Sequence, residues 1–142
     1  MKAFARSTMV PELLVTDLSR SLAFWVDLCG FEVVYRRDEE GFVFLDLDGA
    51  QFMLDELGEG DYWVTGPLQH PSGRGVNFEI DVKSIEPVLR RLQDASWPLF
   101  RALQERWYRR DSIELGVHQF LVQDPDGYLL RFSAVIGERP AV

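Results

Sequence analysis

An internal repeat is the feature that most constrains the fold of this chain of 142 residues. A short apolar run predicts a strand over residues 10–16, and alternating apolar residues predict a strand from Val76 to Val82. In each half a helix follows that first strand, and three more strands follow the helix. Two copies of a β-α-β-β-β unit predict an α+β protein built from two similar modules.

The first half contains clear helix and turn signals. Asp17 or Ser19 offers an N-cap for an amphipathic helix that runs from Leu18 to Cys29 and ends at Gly30. Strands are predicted over residues 31–36, 42–47 and 50–55, with Asp48-Gly49 as the tight turn between the last two.

The second half repeats this order with different turn chemistry. Ser84 offers a cap for a helix in which Pro87 is tolerated in the first turn. A strand is predicted over residues 98–109 and a loop over 111–116. A hairpin follows, in which the strands 117–122 and 128–135 flank the turn Asp124-Pro125-Asp126-Gly127. The apolar positions of this helix form one buried stripe: Ile85, Val88, Leu89 and Leu92.

These boundaries predict one domain over residues 1–142, with module one at 9–56, a linker at 57–74 and module two at 75–136. The linker is rich in Gly and Pro, and its apolar residues Tyr62, Trp63 and Val64 are expected to anchor it.

The two halves match residue by residue at both ends. Glu12 aligns with Glu79, and Met53 aligns with Arg131. The other matched pairs are Leu13 with Ile80, Val15 with Val82, Leu54 with Phe132, and Asp48-Gly49 with Asp126-Gly127. Matched anchors at both ends of each half indicate a true structural repeat.

Strand alternation predicts which side chains face away from the helices. The apolar residues of each first strand, including Leu13, Val15, Val76 and Val82, are expected to face the helix. On each last strand Phe52, Leu54, Leu130 and Phe132 are expected to do the same. The remaining positions are expected to face a cavity: Val10, Glu12, Leu14, Gln51, Met53, Asp55, Asn77, Glu79, Asp81, Leu129, Arg131 and Ser133.

Composition limits the possible partners. The net charge of −8 argues against nucleic acid and anionic membranes as partners, and it suits a cationic ligand. The single cysteine, Cys29, lies in an apolar helical stretch and is expected to be a buried thiol. No apolar run reaches transmembrane length and the N-terminus lacks a signal-peptide pattern, so the cytoplasm is the expected location.

Three stretches resemble the glyoxalase/bleomycin-resistance/extradiol-dioxygenase superfamily, also called vicinal oxygen chelate proteins. They are residues 14–25 (LVTDLSRSLAFW), 28–31 (LCGF) and 120–128 (FLVQDPDGY). The resemblance implies two βαβββ modules, each curling a mixed sheet into a partial cup. It also implies a ligand in the cup and a homodimer as the usual assembly.

The metal enzymes of that family place His, Glu or Gln at four positions that correspond here to Val10, Met53, Asn77 and Arg131. Val has no donor atom, the Met thioether is a soft ligand, Asn is a poor ligand for Zn²⁺ or Fe²⁺, and Arg repels a cation. We therefore predict no bound metal and no cofactor. An alternative set on the same faces remains open: Glu12, Gln51, Asp55 and Glu79.

The resemblance and the face assignment together give a predicted ligand site. Glu12 and Glu79 are expected near each other across the cup, where they hold a cation or, alternatively, pair with Arg131 in a structural network. The similarity to bleomycin-resistance proteins places Trp107 and Tyr108 in a groove at the dimer interface, with packing as the alternative for Trp107. The predicted ligand-binding residues are Glu12, Asn77, Glu79, Trp107, Tyr108 and Arg131.

The predicted function is metal-independent binding of a small molecule, with sequestration of a cationic drug-like or aromatic ligand in a dimer groove. A glyoxalase- or dioxygenase-type metalloenzyme with an atypical metal site is the first alternative. A dimeric accessory module without a small ligand is the second. The expected partners are the small molecule and a second copy of the chain.

Overall fold

The computed structural model describes residues 4–60 and 62–142. Its contacts divide the chain into two compact units, one that ends at Ser72 and one that begins at Gly73. This division falls inside the predicted linker, two residues before the predicted start of module two.

The first unit is a four-stranded mixed sheet with one helical segment. Its strands lie in the order β1-β4-β3-β2, with β1 parallel to β4 and the other pairs antiparallel. A 3₁₀ turn over Asp38–Glu40 connects β2 to β3. The elements are β1 (Glu12–Val15), α1 (Leu18–Leu22) continued by a π-helical stretch (Ala23–Leu28), β2 (Glu32–Arg37), β3 (Phe42–Leu47) and β4 (Ala50–Glu56).

The second unit repeats this topology. Its strands lie in the order β5-β8-β7-β6, again with the first strand parallel to the last. Its elements are β5 (Asn77–Asp81), α2 (Glu86–Asp94), β6 (Leu99–Arg110), β7 (Ile113–Gln123) and β8 (Leu129–Pro140). The predicted α+β fold with two β-α-β-β-β modules is confirmed.

The strand register confirms the predicted alignment of the halves. Glu12 lies opposite Met53 where β1 pairs with β4, and Glu79 lies opposite Arg131 where β5 pairs with β8. In the same way Leu13 faces Leu54, and Ile80 faces Phe132.

The first helix begins as predicted but is not regular. The Asp17 carboxylate caps it by accepting a hydrogen bond from the Arg20 amide at 3.1 Å. From Ala23 onward the helix widens to π geometry, with the Cys29 amide donating to the Phe24 carbonyl five residues back at 2.9 Å. Gly30 then ends it with a φ of 87°.

Aromatic residues fill the core of the first unit between the helix and the sheet. The Trp25 ring lies 4.8 Å from the Phe52 ring and 5.2 Å from the Phe31 ring, and all three residues are buried. Cys29 is fully buried beside the end of the helix, as predicted. This core covers one face of the sheet, which leaves the other face available for a site.

The second unit has a core of its own. Leu92 of α2 is fully buried, and the Phe120 and Phe132 rings stack at 5.4 Å. Ser84 does not occupy the N-cap position, but its hydroxyl accepts a hydrogen bond from the Glu86 amide at 3.2 Å. Val76 was expected to face the helix, and it lies instead before β5 with half of its surface exposed.

Three sequence-based boundaries were wrong. The predicted loop over residues 111–116 is mostly strand, because β6 and β7 continue to a tight turn at Asp111, which has a φ of 56°. Strand β8 runs on to Pro140, beyond the predicted end of module two at residue 136. Strand β1 is shorter than the predicted 10–16 and covers only Glu12–Val15.

The two outermost antiparallel strands are irregular. Strand β2 has a register shift between Val33 and Tyr35. Strand β6 has shifts between Leu99 and Arg101 and between Arg101 and Gln104. Each shift inserts unpaired backbone and bends the strand locally.

The Asp124-Pro125-Asp126-Gly127 turn is held by its first side chain. The Asp124 carboxylate accepts hydrogen bonds from the Asp126 amide at 3.0 Å and the Tyr128 amide at 2.9 Å. The matching turn at Asp48-Gly49 is a two-residue hairpin in which both residues have positive φ, 48° and 97°. The aligned turns therefore use different backbone solutions at the same place in the repeat.

Within the described part of the chain, no helix has the length and apolar character needed to cross a membrane.

Candidate functional site

The open face of the first sheet, which is the face turned away from the helix, contains a pocket of about 430 Å³. The predicted inward residues Val10, Glu12, Leu14, Met53 and Asp55 all line it. Tyr62 and Trp63, from the segment after β4, complete the wall.

Strand alternation explains why these side chains share the pocket. Leu13 and Val15 are buried toward the helix, so Glu12 and Leu14 between them must point to the open face. On β4, Phe52 and Leu54 are buried in the core, which turns Met53 to the same open face.

Two carboxyl groups dominate the electrostatics of the pocket. Partial burial raises the pKa of Glu12 above its ordinary value, and the nearby Asp55 carboxylate raises it further. Burial also raises the pKa of Asp55, with a second contribution from the Glu40 carboxylate. In both groups the Arg37 guanidinium opposes the rise without cancelling it. The site therefore holds more negative charge than its own basic group neutralises.

Arg37 is fixed beside these carboxylates by two contacts. Its Nε donates to the Glu40 carboxylate at 2.6 Å, and its guanidinium lies 3.9 Å from the centre of the Phe42 ring. Because Phe42 pairs directly with Asp55 across β3 and β4, this stacked guanidinium lies next to the pocket.

Gln51 was expected to face the cavity, and its side chain binds the chain's own N-terminal segment, residues 4–7, instead. Its amide oxygen accepts from the Ser7 amide at 2.7 Å, and its amide nitrogen donates to the Ala5 carbonyl at 2.8 Å. The same nitrogen donates to the Asp46 carboxylate at 2.9 Å. Gln51 is therefore buried, and its side-chain oxygen and nitrogen are already hydrogen-bonded within the protein, so it is not a free ligand-binding group.

The N-terminal segment also covers an aromatic surface on the open face. The Tyr35 and Phe44 rings stack with centroids 5.2 Å apart, and the Phe4 ring lies 5.3 Å from that of Phe44. The Arg6 guanidinium lies 5.1 Å from the centre of the Phe44 ring. Phe44 is fully buried, whereas Arg6 is exposed.

The negative charge of the protein belongs entirely to the half that contains this pocket. Residues 1–72 hold five basic and thirteen acidic side chains, whereas residues 73–142 hold ten of each. The first unit therefore accounts for the whole net charge of −8 and the second unit is neutral. A concave site in a strongly acidic unit attracts cations from solution.

The open face of the second sheet holds an ion pair at the equivalent position. Arg131 Nη2 lies 2.5 Å from the Glu79 carboxylate, which is the structural network that the sequence left open as an alternative. The Arg131 Nε is buried and has no hydrogen-bond partner among the described residues. Asn77 is exposed at the start of β5. The convergence of Glu12 with Glu79, and of the four family positions on one cavity, stays a prediction.

Trp107 and Tyr108 lie on opposite faces of the second sheet. The Trp107 ring packs across Gly116, its direct partner on β7, and the Arg139 guanidinium lies 4.1 Å from that ring. The Tyr108 hydroxyl instead donates to the Gln119 side chain at 3.0 Å. The two aromatic residues therefore lie on different faces of this sheet, and their placement in a groove at a dimer interface stays a prediction.

The donor groups at the family's metal positions do not fit a metal. Val10 and Met53 line the first pocket with a hydrocarbon and a thioether, and Arg131 brings a guanidinium that already binds a carboxylate. Within residues 4–60 and 62–142 no group of three or more His, Cys, Asp or Glu side chains is arranged to hold a metal ion. Of the two histidines, His70 is exposed, and His118 Nε2 lies 3.6 Å from the Glu105 carboxylate.

Sequence reasoning missed several residues of the open face. The alternation along β3 could have placed Phe42 and Phe44 beside Met53 and Asp55, because the strand pairs with β4 through a two-residue turn. No sequence signal indicated that residues 4–7 fold back over that face. In the linker, the Tyr62 hydroxyl bonds to Glu56 and Gly58 and anchors it as expected, whereas Trp63 is almost fully exposed.

Comparisons with known proteins agree with this architecture. A model of the Glyoxalase/Bleomycin resistance protein/Dioxygenase superfamily matches residues 8–132. A superfamily member of that description from Vibrio splendidus 12B01 is 40% identical over 87% of this chain and 94% of its own, with a TM-score of 0.39.

Two further solved structures cover nearly the whole chain. TioX from Micromonospora sp. ML1 is 26% identical over 92% of this chain and 99% of its own, with a TM-score of 0.70. A protein from the mobile metagenome of V. pseudocholerae is 14% identical over 96% and 100%, with a TM-score of 0.69, and so shares the fold. None of the curated proteins compared with the chain matches it. The paired β-α-β-β-β units and the family match over residues 8–132 show that this protein belongs to the glyoxalase/bleomycin resistance protein/dioxygenase superfamily.

Proposed function

We propose that the protein binds a cationic aromatic small molecule without a metal and without changing it chemically. The observation that carries the proposal is the pocket on the open face of the first sheet, where partial burial raises the pKa of both Glu12 and Asp55 and the Asp55 carboxylate raises that of Glu12 further. A bound cation lowers both pKa values, because each carboxylate gains an opposite charge.

The remaining walls of the pocket suit the flat apolar part of such a ligand. Met53 offers a polarisable thioether, and Tyr62 and Trp63 offer aromatic surface at the rim. Trp63 is 95% exposed, so a ligand that covers it removes a large apolar area from water.

Metal independence is part of the proposal and is supported by the donor set. At the position where the family's metal enzymes have their ligand on the last strand, this chain has Arg131. The positive charge of Arg131 disfavours a metal cation there by direct repulsion. A glyoxalase- or dioxygenase-type reaction at that site would require a different set of groups.

A groove between two copies of the chain is also proposed to contribute to ligand binding. In the second unit several large apolar side chains are exposed by 40–60%: Phe100, Leu103, Val135 and Ile136. Phe100 and Leu103 belong to β6, and Val135 and Ile136 belong to β8, the two strands that pair with β7 on either side. Exposed apolar side chains of this size mark surfaces that associate. Sedimentation at micromolar concentration is expected to give a dimer, and a monomer would remove this part of the proposal.

Titration with bleomycin-type drugs, followed by tryptophan fluorescence, tests the binding function. A saturable change below about 100 μM, which corresponds to a binding free energy of about −5.5 kcal/mol, is the expected result. The double variant Glu12→Gln/Asp55→Asn keeps the shape of the pocket and removes its charge, so it is expected to lose the binding. A flat titration of the unmodified protein up to high micromolar concentration would remove the support for the proposal.

Metal analysis of the purified protein tests the proposed metal independence. Protein purified without a histidine tag is expected to hold no stoichiometric metal and to bind the drug equally well after treatment with a chelator. Stoichiometric zinc, nickel or iron would contradict metal independence and would favour the enzyme alternative.

A further inference from the structure

We infer that the ligand's positive charge is a planar delocalised cation, such as an amidinium or guanidinium, and that it competes with Arg6 of the protein's own N-terminal segment. The inference rests on the proposed function, because it concerns the same open face. It is carried by two guanidinium groups that already lie on aromatic rings of that face.

Two guanidinium groups of the protein itself already stack on aromatic rings of this open face. Arg37 lies 3.9 Å from the centre of the Phe42 ring, and Arg6 lies 5.1 Å from the centre of the Phe44 ring. Both rings are buried, so their faces are occupied by protein groups and not by water. A flat cation stacks on such a ring with its charge over the π face, whereas a tetrahedral ammonium presents fewer atoms to the ring.

The positions of the rings connect this surface to the carboxylates of the pocket. Phe42 pairs with Asp55 across β3 and β4, and Phe44 pairs with Met53, which in turn pairs with Glu12. A carboxylate therefore lies directly beside an aromatic ring in the row of Phe42 and Asp55, whereas Met53 lies between Phe44 and Glu12 in the next row. A planar N–H fork can bond a carboxylate with two parallel hydrogen bonds while it stacks on the neighbouring ring.

Of the two resident groups, Arg6 is the one that a ligand can displace. Arg37 is held by the Glu40 carboxylate at 2.6 Å in addition to its ring contact. The Arg6 side chain is exposed and belongs to a segment that is anchored by hydrogen bonds of Gln51 and Ser7 and by the Phe4 ring contact. Displacing Arg6 frees the part of the Phe44 ring that its guanidinium covers, while the Phe4 and Tyr35 rings keep their contacts with Phe44 and the sheet stays intact.

Benzamidine and benzylamine form a matched pair of probes, because both join one positive charge to one phenyl ring and differ in the planarity of the charged group. Calorimetric titration of the full chain at pH 7 is expected to show benzamidine binding at least about threefold more tightly than benzylamine, from a stacking gain of about 0.7 kcal/mol. In Arg6→Ala this ratio is expected to increase by a further two- to fivefold, as expected for about 0.5–1 kcal/mol of recovered stacking.

Arg20→Ala is the control, since it removes the same charge from an exposed position on α1 of the same acidic unit. It is expected to change the affinities for both probes equally and to leave their ratio unchanged. Circular dichroism and a urea titration of each variant confirm that it folds. Arg6→Lys provides a second variant, and it is expected to raise the ratio less than Arg6→Ala does.

The outcomes separate this inference from the proposed function. Equal affinities for the two probes in every variant would overturn the planar-cation inference and leave cation binding intact. Binding of bleomycin-type drugs without binding of either probe at 10 mM would also overturn the inference alone. If neither the drugs nor the probes bind, both the inference and the proposed function fail. An equal change of the ratio in Arg6→Ala and Arg20→Ala would show that Arg6 acts only through its charge, and would overturn the competition.

Discussion

The contact between Gln51 and the N-terminal segment gives the sharpest prediction for stability. Gln51→Ala removes three side-chain hydrogen bonds, to the Ser7 amide, the Ala5 carbonyl and the Asp46 carboxylate. Two are between neutral groups and one has a charged acceptor, which at about 0.5–1.5 and 1.5–3 kcal/mol sums to roughly 2.5–6 kcal/mol. The freed Ser7 and Ala5 groups reach water once the segment lifts away, so the expected loss lies near the lower end, about 2–3 kcal/mol.

A second substitution at the same position isolates the donated hydrogen bonds. Gln51→Glu keeps an acceptor for the Ser7 amide but loses both donors at neutral pH, and it places a second carboxylate beside Asp46. It is therefore expected to be at least as destabilising as Gln51→Ala at pH 7. At about pH 4 the new carboxyl group gains a proton, becomes a donor again and is expected to recover about half of the loss.

Urea denaturation at both pH values and hydrogen exchange at the Ser7 amide measure these effects. The Ser7 amide is expected to lose its protection in both variants at pH 7, while the amides of β3 and β4 keep theirs. Unchanged Ser7 protection together with a stability loss below about 0.5 kcal/mol in Gln51→Ala would refute the account of Gln51 as the anchor of this segment.

Four other predictions follow from the site and the second unit. Burial raises the pKa values of Glu12 and Asp55, so their contribution to stability is greatest in acid and is lost as pH rises through the raised values. Glu12→Gln is therefore expected to stabilise the protein at pH 7 and not at pH 3. A pH series of urea titrations that shows the opposite order would contradict this. For the same reason binding of a cationic ligand is expected to weaken as pH falls through those values, which titration calorimetry between pH 4 and 7 can follow. A Cβ on Gly116 would lie 2.7 Å from the Trp107 ring, so Gly116→Ala is expected to lower the free energy of unfolding in a urea titration by about 1–3 kcal/mol. Most of that loss is expected to disappear when Trp107→Ala is added to the same chain. Arg131→Met is expected to lower the free energy of unfolding by less than about 1 kcal/mol in a urea titration, because the Glu79 partner is 44% exposed and the buried Nε of Arg131 has no acceptor to lose. A loss above about 3 kcal/mol would show that the pair is fully desolvated.

The fold and the strand register were predictable because they depend on patterns with short periods. Alternation along β1 and β4 fixes which side chains meet, and the Asp48-Gly49 turn fixes the pairing of β3 with β4. These local rules were enough to place Glu12 and Asp55 on one open face. They also gave the pairing of Glu79 with Arg131 as one of two alternatives.

Other features depended on contacts that no local pattern records. The fold-back of residues 4–7 depends on the hydrogen bonds of Gln51 and on the contacts of Phe4 and Arg6 with Phe44, which join segments about forty residues apart in the chain. The predicted β6–β7 hairpin was too short because Asp111 and Gly116 are residue types typical of loops. Asp111 in fact forms the tight turn, and Gly116 lies inside β7, where its missing side chain makes room for Trp107.

The irregular outer strands have a consequence for the behaviour of the protein in concentrated solution. A sheet edge with free N–H and C=O groups can pair with the same edge of another molecule and start a fibril. Both antiparallel edges here interrupt that pairing with bulges, β2 between Val33 and Tyr35 and β6 at two places near Arg101. Arginines follow on both strands, at Arg36 and Arg37 in β2 and three times between residues 106 and 110 in β6, so two like edges that approach each other repel. The bulges and arginines of β2 and β6 therefore protect the protein from polymerisation through these two edges.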